Sequence, residues 1–245
     1  MYSFARVWPN LSKGWSGNIA LINRKVRIRI PKSQVLHYLG YPRKHNRRLR
    51  IAPLIEECLK EAQDLIDPRY LCSIETVSLV LNPVSVVRDS LALESQMLAD
   101  LLERCSSVVV FVATIGERLE STARKLASEE KLMRSYIVDA IGSAAVEQVV
   151  EQVRAFVGRL ARAQGQTASR SFSPGHCDWD ISQQRALFKL ADAQLVGVRL
   201  TDLGLMVPRK SVSGVIGLGP SDSDTGSYSP CALCDKDNCT GRRQS

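Results

Sequence analysis

The feature that most constrains the fold is a run of five apolar residues, Val108 to Val112, near the middle of the sequence. All five side chains are β-branched or aromatic, which favours a β-strand, and an uninterrupted apolar strand is buried on both faces. Thr114 and Gly116 end the run, and Glu117 follows where a negative charge suits the N-terminus of a helix. The sequence therefore predicts a buried strand here, with a helix directly after it.

Several segments carry the three-and-four spacing of apolar residues that is typical of amphipathic helices. Residues 52–70 have this spacing, with Pro53 where the first turn of a helix tolerates proline. The longest helix is expected over residues 135–164, whose small residues "AIGSAA" let another backbone or a ligand approach closely. A further helix is expected over residues 89–105, with four leucines facing inward: Leu91, Leu98, Leu101 and Leu102.

Two shorter helices complete the helical prediction. Residues 32–41, "KSQVLHYLGY", have apolar residues on one side and Gly40 as a C-terminal cap. A helix near residues 181–193 is expected to begin with Asp180 or Ser182 as its cap.

Strands are expected early and late in the sequence. Residues 25–31 alternate in polarity and predict an edge strand that ends at Pro31, and residues 76–82 predict another strand. Residues 196–208 and 211–220 predict a late pair of strands. Strands early, helices in the middle and a late strand pair indicate an α+β fold with a largely antiparallel sheet.

The glycines of "GVIGLG", residues 214–219, resemble a phosphate-binding loop only superficially. No helix with Lys-Ser/Thr follows, so the backbone amides of a helix N-terminus are missing. A strand marked by glycines is the favoured interpretation.

Composition and charge limit the possible partners. With 245 residues and 44% hydrophobic content, the chain is one large domain or two small ones. Much of the net charge of +8 lies in residues 41–50, "YPRKHNRRLR". A solvated basic loop is favoured over an acidic protein or anionic ligand. Nucleic acid comes last, because few aromatic residues interleave with the basic ones.

The location is expected to be cytoplasmic, without a membrane association. The N-terminus lacks the layout of a secretory signal, and no apolar run reaches the roughly 18 residues that span a bilayer.

The C-terminal tail carries three cysteines at C-x2-C-x4-C spacing, Cys231, Cys234 and Cys239. In a reducing compartment such cysteines are metal ligands or thiols before they are disulfides. Three thiolates leave a tetrahedral site incomplete, and the fourth ligand is Cys177, His176, a residue of a partner, or a bound ligand. Zinc, an iron–sulfur cluster and three unliganded thiols all remain open.

The segment "SFSPGHCDW", residues 171–179, reads as a rigid turn between two helical stretches. Pro174 fixes one dihedral angle and Gly175 permits a reversed one, so the next residues are directed outward. The segment is either a plain joint or a shallow binding wall in which Trp179 faces a flat, adenine-like ligand. His176, taken alone, is more often a turn residue than a base or a ligand.

A series of motifs resembles, in order and spacing, the activation domain of cobalamin-dependent methionine synthase and its stand-alone relatives. The resemblance runs from about Val35 to about Gly219. It implies a C-shaped α+β domain over residues 1–219, with a twisted, largely antiparallel sheet flanked by helices. Residues 220–245 would then form a Ser/Gly/Asp linker and the cysteine tail. The motifs are "VLHYLGY", "ATIGERLE", "DAIGSAAVE", "SFSPGHCDW", "VGVRLTDLGLMVPRKSVSG" and "CALCDKDNC".

The resemblance implies a repair function. The relatives bind S-adenosylmethionine and cap a corrinoid whose cobalamin has been oxidised to the inactive cob(II) state. An electron from flavodoxin, or from another donor such as ferredoxin, then lets the methyl group pass from sulfonium to cobalt. The implied partner is a corrinoid-dependent methyltransferase or corrinoid protein that carries the cobalamin. Because the methyl group is already activated, positioning residues suffice and no catalytic residue is expected.

The resemblance also implies site residues. The family's ligand motif is Arg-x-x-Pro-Gly-Tyr or the shorter Arg-x-Ser-Pro-Gly-Tyr. Here the arginine lies four positions before the proline, and His176 and Cys177 follow the glycine on the side that faces the corrin. A family tyrosine beyond "SVSG", residues 211–214, is replaced by Ile216. The implied contacts with S-adenosylmethionine are Arg170, Ser173, Pro174, Gly175 and, on the long helix, Glu147.

Two other functions remain open at this point. A subunit that caps a corrinoid without binding S-adenosylmethionine would explain the shifted Arg170 together with His176 and Ile216. An iron–sulfur protein that reduces corrinoids would explain the cysteine tail.

Overall fold

A computed structural model describes residues 19–23, 26–41, 50–87, 91–228 and Cys234. Within these residues the chain forms a mixed α+β domain in which every strand pair is antiparallel, and this confirms the predicted fold class. The strands are β1 (Ile19–Asn23), β2 (Arg69–Leu81), β3 (Val84–Val87), β4 (Leu91–Glu94), β5 (Ser107–Thr114), β6 (Gln166–Ala168), β7 (Arg199–Leu200), β8 (Met206–Val207) and β9 (Ser211–Pro220). The helices are α1 (Lys32–Tyr38), α2 (Ala52–Leu65), α3 (Gln96–Leu102), α4 (Arg118–Ser128), α5 (Leu132–Ala163) and α6 (Gln184–Leu190).

The main sheet is built around β5, whose eight residues are all buried, as the apolar run predicted. β2 and β9 pair with its two edges, and the strand order is β4-β3-β2-β5-β9-β6. β2 is 13 residues long, so that its first half also pairs with β1 while its second half pairs with β3. Glycine-containing β9 is a strand, which confirms the prediction for residues 214–219.

The sheet separates two hydrophobic cores. Because side chains alternate across a strand, Val109 and Phe111 of β5 face the core formed with α1, α2, α4 and α5. Val108 and Val110 face the opposite core, which holds α3, α6 and Trp179. The segment 171–179 therefore belongs to the second core.

The small residues at the centre of α5 admit a side chain from just before β9. A Cβ atom added to Gly142 would lie 3.2 Å from two carbon atoms of Lys210. The lysine Nζ donates to Ser143 Oγ at 2.8 Å and forms an ion pair with Asp139 Oδ1 at 2.9 Å. This ion pair joins the longest helix to the beginning of the last strand.

The prediction of an edge strand over residues 25–31 is wrong. Residues 26–30 have no regular structure, although Val26, Ile28 and Ile30 pack against the first core. The edge of β2 pairs instead with Ile19–Asn23. The alternation of polarity in residues 26–30 therefore reflects alternate side chains that pack on the core, without strand pairing.

The prediction of one helix over residues 89–105 is also wrong in its first half. Leu91 belongs to β4, which pairs with β3, and α3 begins only after Ser95. Ser95 Oγ accepts a hydrogen bond from the Leu98 amide at 3.0 Å, so the serine caps the helix. The three later leucines are buried as expected: Leu98, Leu101 and Leu102.

The segment 196–208 is a small hairpin and not one strand of the main sheet. β7 and β8 have two residues each and pair only with one another. The other predicted helices are present, but the one expected over residues 52–70 ends at Leu65, and residues 69 and 70 already belong to β2. Asp180 caps the short 3-10 turn Ile181–Gln183, and α6 follows it over Gln184–Leu190.

The chain stays attached to the domain after β9. Thr225 is fully buried, and Tyr228 is 8% exposed. The predicted domain boundary at residues 219/220 stays a prediction, and the basic residues 42–49 lie outside the described part of the chain. None of the helices in the described ranges combines the length and apolarity needed to cross a membrane.

Candidate functional site

The segment that leads into the predicted turn runs along the edge of β9. Phe172 and Val215 exchange two backbone hydrogen bonds, of 2.9 and 2.8 Å. Closer to β6, the Ser169 amide donates to the Gly217 carbonyl at 2.9 Å, and the Gly217 amide donates to Ser169 Oγ at 2.8 Å. The turn is therefore anchored to the sheet on its N-terminal side.

The absence of a side chain at Gly214 allows this close approach. A Cβ atom at Gly214 would lie 2.6 Å from both the Phe172 carbonyl oxygen and Ser173 Oγ. Such a distance is not tolerated by real side chains, so the glycine is required by the neighbouring backbone.

The turn closes on itself through three backbone hydrogen bonds. The His176 amide donates to the Ser173 carbonyl at 3.0 Å, and the Trp179 amide to the His176 carbonyl at 2.9 Å. The Gly175 amide donates to the Trp179 carbonyl at 2.7 Å, and Gly175 has a φ of 90° that favours glycine. Pro174 is buried, whereas Gly175 and His176 are exposed. Gly175 and His176 therefore lie on the outer surface of the turn, as does Asp178.

Trp179 is buried, so of the two interpretations of the segment, the one in which this ring faces a flat ligand is wrong. The indole is 1% exposed and stacks on Phe172, with its N–H donating to Gln183 Oε1 at 3.1 Å. A large aromatic ring gains more from burial in the second core than from an exposed position at the turn.

Asp178 connects the turn to α3. Its carboxylate accepts hydrogen bonds from Ser95 Oγ at 2.8 Å, from the Gln96 amide at 2.6 Å and from the Met97 amide at 3.3 Å. A carboxylate at this position satisfies amides that have no partner within the helix.

His176 and Cys177 differ in their surroundings on the turn. His176 is exposed, with its ring centroid 6.0 Å from the centroid of Phe172. Cys177 has a φ of 49°, which is unusual for a residue with a side chain, and it is half-buried against the second core.

Glu147 lies on α5 and is held by α1. Its two carboxylate oxygens accept short hydrogen bonds from Gln34 and Tyr38, and Gln34 also accepts one from Gln148 at 2.7 Å. Glu147 is thus not an ordinary exposed carboxylate. No hydrogen bond or ion pair identified among the described residues joins it to the turn at residues 171–179.

Three further positions were singled out in the sequence: Arg170, Ser173 and Ile216. Arg170 is half-buried, and none of the ion pairs among the described residues involves it. Ser173 lies beside Gly214. Ile216 is 1% exposed in the first core, so this position offers no side chain to a ligand.

The predicted metal ligands lie largely outside the described residues. Of the three tail cysteines only Cys234 is described, and it is half-buried. Within the described ranges no group of three or more potential ligands is close enough to hold a metal ion. The metal site therefore stays a prediction.

Sequence reasoning missed the residues that support the site. Gln34 and Tyr38 lie in residues 32–41, where the spacing of apolar residues predicted a helix but gave no sign of a contact with Glu147. Asp178 was predicted only as part of the turn, and not as a partner of α3. A polar residue on a short helix carries no periodic signal that would reveal its distant partner. The proximity of Lys210 to Gly142 was indicated only by the small residues of α5.

Comparison with known proteins defines the class. The profile of the family "vitamin B12 dependent methionine synthase, activation domain" matches residues 85–243. The chain belongs to this family, and membership assigns it a role in cobalamin reactivation. The crystal structure of the MetH reactivation domain bound to AdoHcy superposes with a TM-score of 0.57 at 13% identity, covering 84% of this chain and 80% of that one. This likeness concerns the fold. No curated protein matches the sequence.

Proposed function

We propose that this protein is the reactivation partner of a corrinoid-dependent methyltransferase. In this proposal the protein binds S-adenosylmethionine and supports the reductive methylation of the cobalamin that the methyltransferase carries. The observation that carries the proposal is the family match over residues 85–243, which includes the whole turn and β9. The structurally similar MetH reactivation domain was crystallised with AdoHcy, the product that S-adenosylmethionine leaves after methyl transfer.

The residues of the turn fit such a ligand. A Cβ atom at Gly175 would meet only Ile181 Cδ1, at 3.5 Å, so the outer face of the turn has room for a bound molecule. We assign Ser173, Pro174 and Gly175 to a wall that the ligand contacts. Since the backbone amides of Gly175 and His176 are used within the turn, the wall acts through its shape and its remaining carbonyl groups.

The charged groups of S-adenosylmethionine support the two contacts proposed outside residues 173–175, with Arg170 and with Glu147. S-adenosylmethionine carries a carboxylate, an ammonium and a sulfonium group. Arg170 supplies a guanidinium that pairs well with a carboxylate, and it has no competing ion pair among the described residues. Glu147 supplies a carboxylate for the cationic end, and its hydrogen bonds from Gln34 and Tyr38 fix its orientation before a ligand arrives.

The methyl transfer requires that the methyl donor and the corrinoid are aligned and that water is excluded. Bound S-adenosylmethionine supplies an activated methyl group, and the reduced corrinoid of the partner is the nucleophile, with flavodoxin or ferredoxin as the electron donor. The protein holds the sulfonium at the turn and excludes water, while exposed His176 meets the corrin.

Calorimetric titration of S-adenosylmethionine into the protein, with and without the corrinoid partner, tests the proposal. The wild type binds, and the double variant Pro174→Ala/Gly175→Val and the single variant Arg170→Ala bind at least about tenfold more weakly. Arg162→Ala is the matched control, because Arg162 is an exposed arginine near the end of α5. Absence of binding by the wild type in the presence of the partner contradicts the ligand assignment.

A second candidate is a capping subunit that does not bind S-adenosylmethionine. His176 in the place of the family's tyrosine and the burial of Ile216 favour it. Protection of the partner's cobalamin from solvent, without methyl transfer under reducing conditions, would support this candidate.

A further inference from the structure

The exposed part of the turn has an unusual backbone conformation. Gly175 has a φ of 90° and Cys177 a φ of 49°, so the residues on both sides of His176 lie in the left-handed region. Glycine adopts this region freely, whereas a residue with a side chain adopts it at a conformational cost. The turn therefore needs contacts with the rest of the domain to keep Gly175 and His176 in this arrangement.

Asp178, two residues after His176, makes such a contact with the start of α3. Its carboxylate accepts hydrogen bonds from the Gln96 amide at 2.6 Å, from the Met97 amide at 3.3 Å and from Ser95 Oγ at 2.8 Å. Hydrogen bonds to an ionised carboxylate are stronger than those between neutral groups. One side chain of the turn thus receives three donors from another element.

The helix itself offers these amides no acceptor. The first amides of an α-helix have no partner within the helix. In α3 the Leu98 amide donates to Ser95 Oγ at 3.0 Å, and the two amides before it donate to Asp178. The turn therefore supplies the acceptors that α3 lacks, and this fixes the position of Asp178 relative to the helix.

α3 is a firm support for the turn. Its residues Leu98, Leu101 and Leu102 are at most 1% exposed and belong to the second core. A second connection lies farther along the chain, where the Gln183 side chain accepts from the Glu94 amide at 2.8 Å and donates to the Glu94 carbonyl at 3.1 Å. Of the two connections, that of Asp178 is closer in sequence to His176.

We propose that Asp178 is a positioning residue for the binding of S-adenosylmethionine. By holding the start of α3, it keeps Gly175 and His176 in the orientation in which the turn meets its ligand, and it does not contact the ligand itself. The identity of the ligand rests on the proposed function. The fixing of the turn by Asp178 rests on the hydrogen bonds alone.

Hydrogen–deuterium exchange of the full chain, read by mass spectrometry, tests the conformation of the turn without a ligand. The amides of Gly175, His176 and Trp179 are bonded inside the turn, so they exchange slowly while it is closed. In Asp178→Ala we expect peptides covering residues 171–179 to exchange at least about tenfold faster, and peptides from the centre of α5 to be unchanged. Unchanged exchange at the turn overturns the proposal. An equal increase in α5 also overturns it, because the effect would then be a loss of global stability.

Calorimetric titration of S-adenosylmethionine measures the consequence for binding. Asp178→Ala should bind at least about tenfold more weakly than the wild type. Asp178→Asn should bind with an intermediate affinity, because its amide oxygen still accepts a hydrogen bond but carries no charge. This variant keeps the shape of the side chain, so it decides both comparisons if Asp178→Ala does not fold. A wild type that does not bind contradicts the proposed function, whereas equal binding by the wild type and the Asp178 variants overturns the role of Asp178.

Two control variants separate the positioning of the turn from the capping of short helices. Asp180→Ala removes an exposed carboxylate of the neighbouring segment, which accepts from the Ser182 amide at 2.7 Å. Ser95→Ala removes the acceptor of the Leu98 amide but leaves the Gln96 and Met97 amides bound to Asp178. Each control should change the affinity for S-adenosylmethionine by less than about threefold. If Ser95→Ala weakens binding as much as Asp178→Ala, the cap of α3 and not the position of the turn is responsible, and the proposal fails.

Discussion

The indole of Trp179 stacks on the phenyl ring of Phe172, with ring centroids 5.5 Å apart and planes inclined by 12°. Phe172 is itself bonded to Val215 of β9, so the aromatic pair fastens the turn to the central sheet. The exposed Gly175 and His176 lie between these two aromatic residues in the sequence, and their position depends on the stack.

Replacement of Trp179 tests this structural role. Trp179→Ala should lower the free energy of unfolding by about 3 to 5 kcal/mol, because a fully buried aromatic side chain is lost from the core. Ile181→Ala, at a side chain that is 52% exposed, should cost less than about 1 kcal/mol. Urea unfolding measures both. Trp179→Phe should keep most of the affinity for S-adenosylmethionine, and loss of that affinity in a stable variant would restore the ligand-stacking interpretation.

Gly214→Ala tests the close approach of the turn to β9. The new methyl group would overlap with the Phe172 carbonyl oxygen, which is part of the backbone and is held by Val215. We expect a loss of about 1 to 3 kcal/mol in the free energy of unfolding. Gly158→Ala in α5 is the matched control. Its methyl group would lie 3.6 Å from the flexible end of Arg162, so it should stabilise the helix by about 0.5 to 1 kcal/mol. Equal effects of the two substitutions would contradict the prediction.

Alkaline pH should weaken the fold through Cys105. Burial raises the pKa of this thiol to about 11 from its ordinary value of 9.0. The folded state therefore keeps the proton that the unfolded state releases, and the stabilising effect is full below about pH 9 and is lost between about pH 9 and pH 11. The loss amounts to about 2 to 3 kcal/mol.

The comparison variant for this pH effect is Cys105→Ala. Its free energy of unfolding should lie below that of the wild type at about pH 8, and the difference should shrink by about 2 to 3 kcal/mol at about pH 11. Urea unfolding at a series of pH values measures the difference. A difference that stays constant over this range would be inconsistent with a raised pKa at Cys105.

Lys210→Met tests the connection between β9 and α5. The substitution keeps an apolar stem over Gly142 and removes the charge that meets Asp139 and Ser143. Since the lysine side chain is only 12% exposed, we expect a loss of about 1 to 3 kcal/mol in thermal or urea unfolding.

Lys125→Met is the control for Lys210. That lysine is 77% exposed and lies 3.9 Å from Glu129, so its loss should change stability by less than about 0.5 kcal/mol. If both lysine variants lose the same amount, the ion pair of Lys210 has no special role.

The sequence was most informative where one pattern dominated. The apolar run at Val108–Val112 and the long apolar face of α5 predicted their elements directly, because neither depends on a distant partner. The prediction for residues 89–105 failed because leucines at suitable spacing occur in β4 and α3 alike, and the boundary is set by the cap at Ser95. Local periodicity does not contain such a boundary.

The turn of the candidate site was predictable from the sequence, but the contacts of the residues around the turn were not. Pro174 and Gly175 indicate a turn through their backbone preferences, and the structure has it. The burial of Trp179 and the contacts of Glu147 with α1 depend on residues far away in the sequence, so no local pattern could reveal them.

Met97 has a practical importance for anyone who shortens this protein. Its amide is bound by Asp178 and its carbonyl by Tyr228, so one backbone residue supports both the turn and the start of the tail. A version trimmed at the end of β9 would remove one of these two supports together with the cysteines. A tail-free version made for crystallisation or partner binding should therefore end after Tyr228 and not at Pro220.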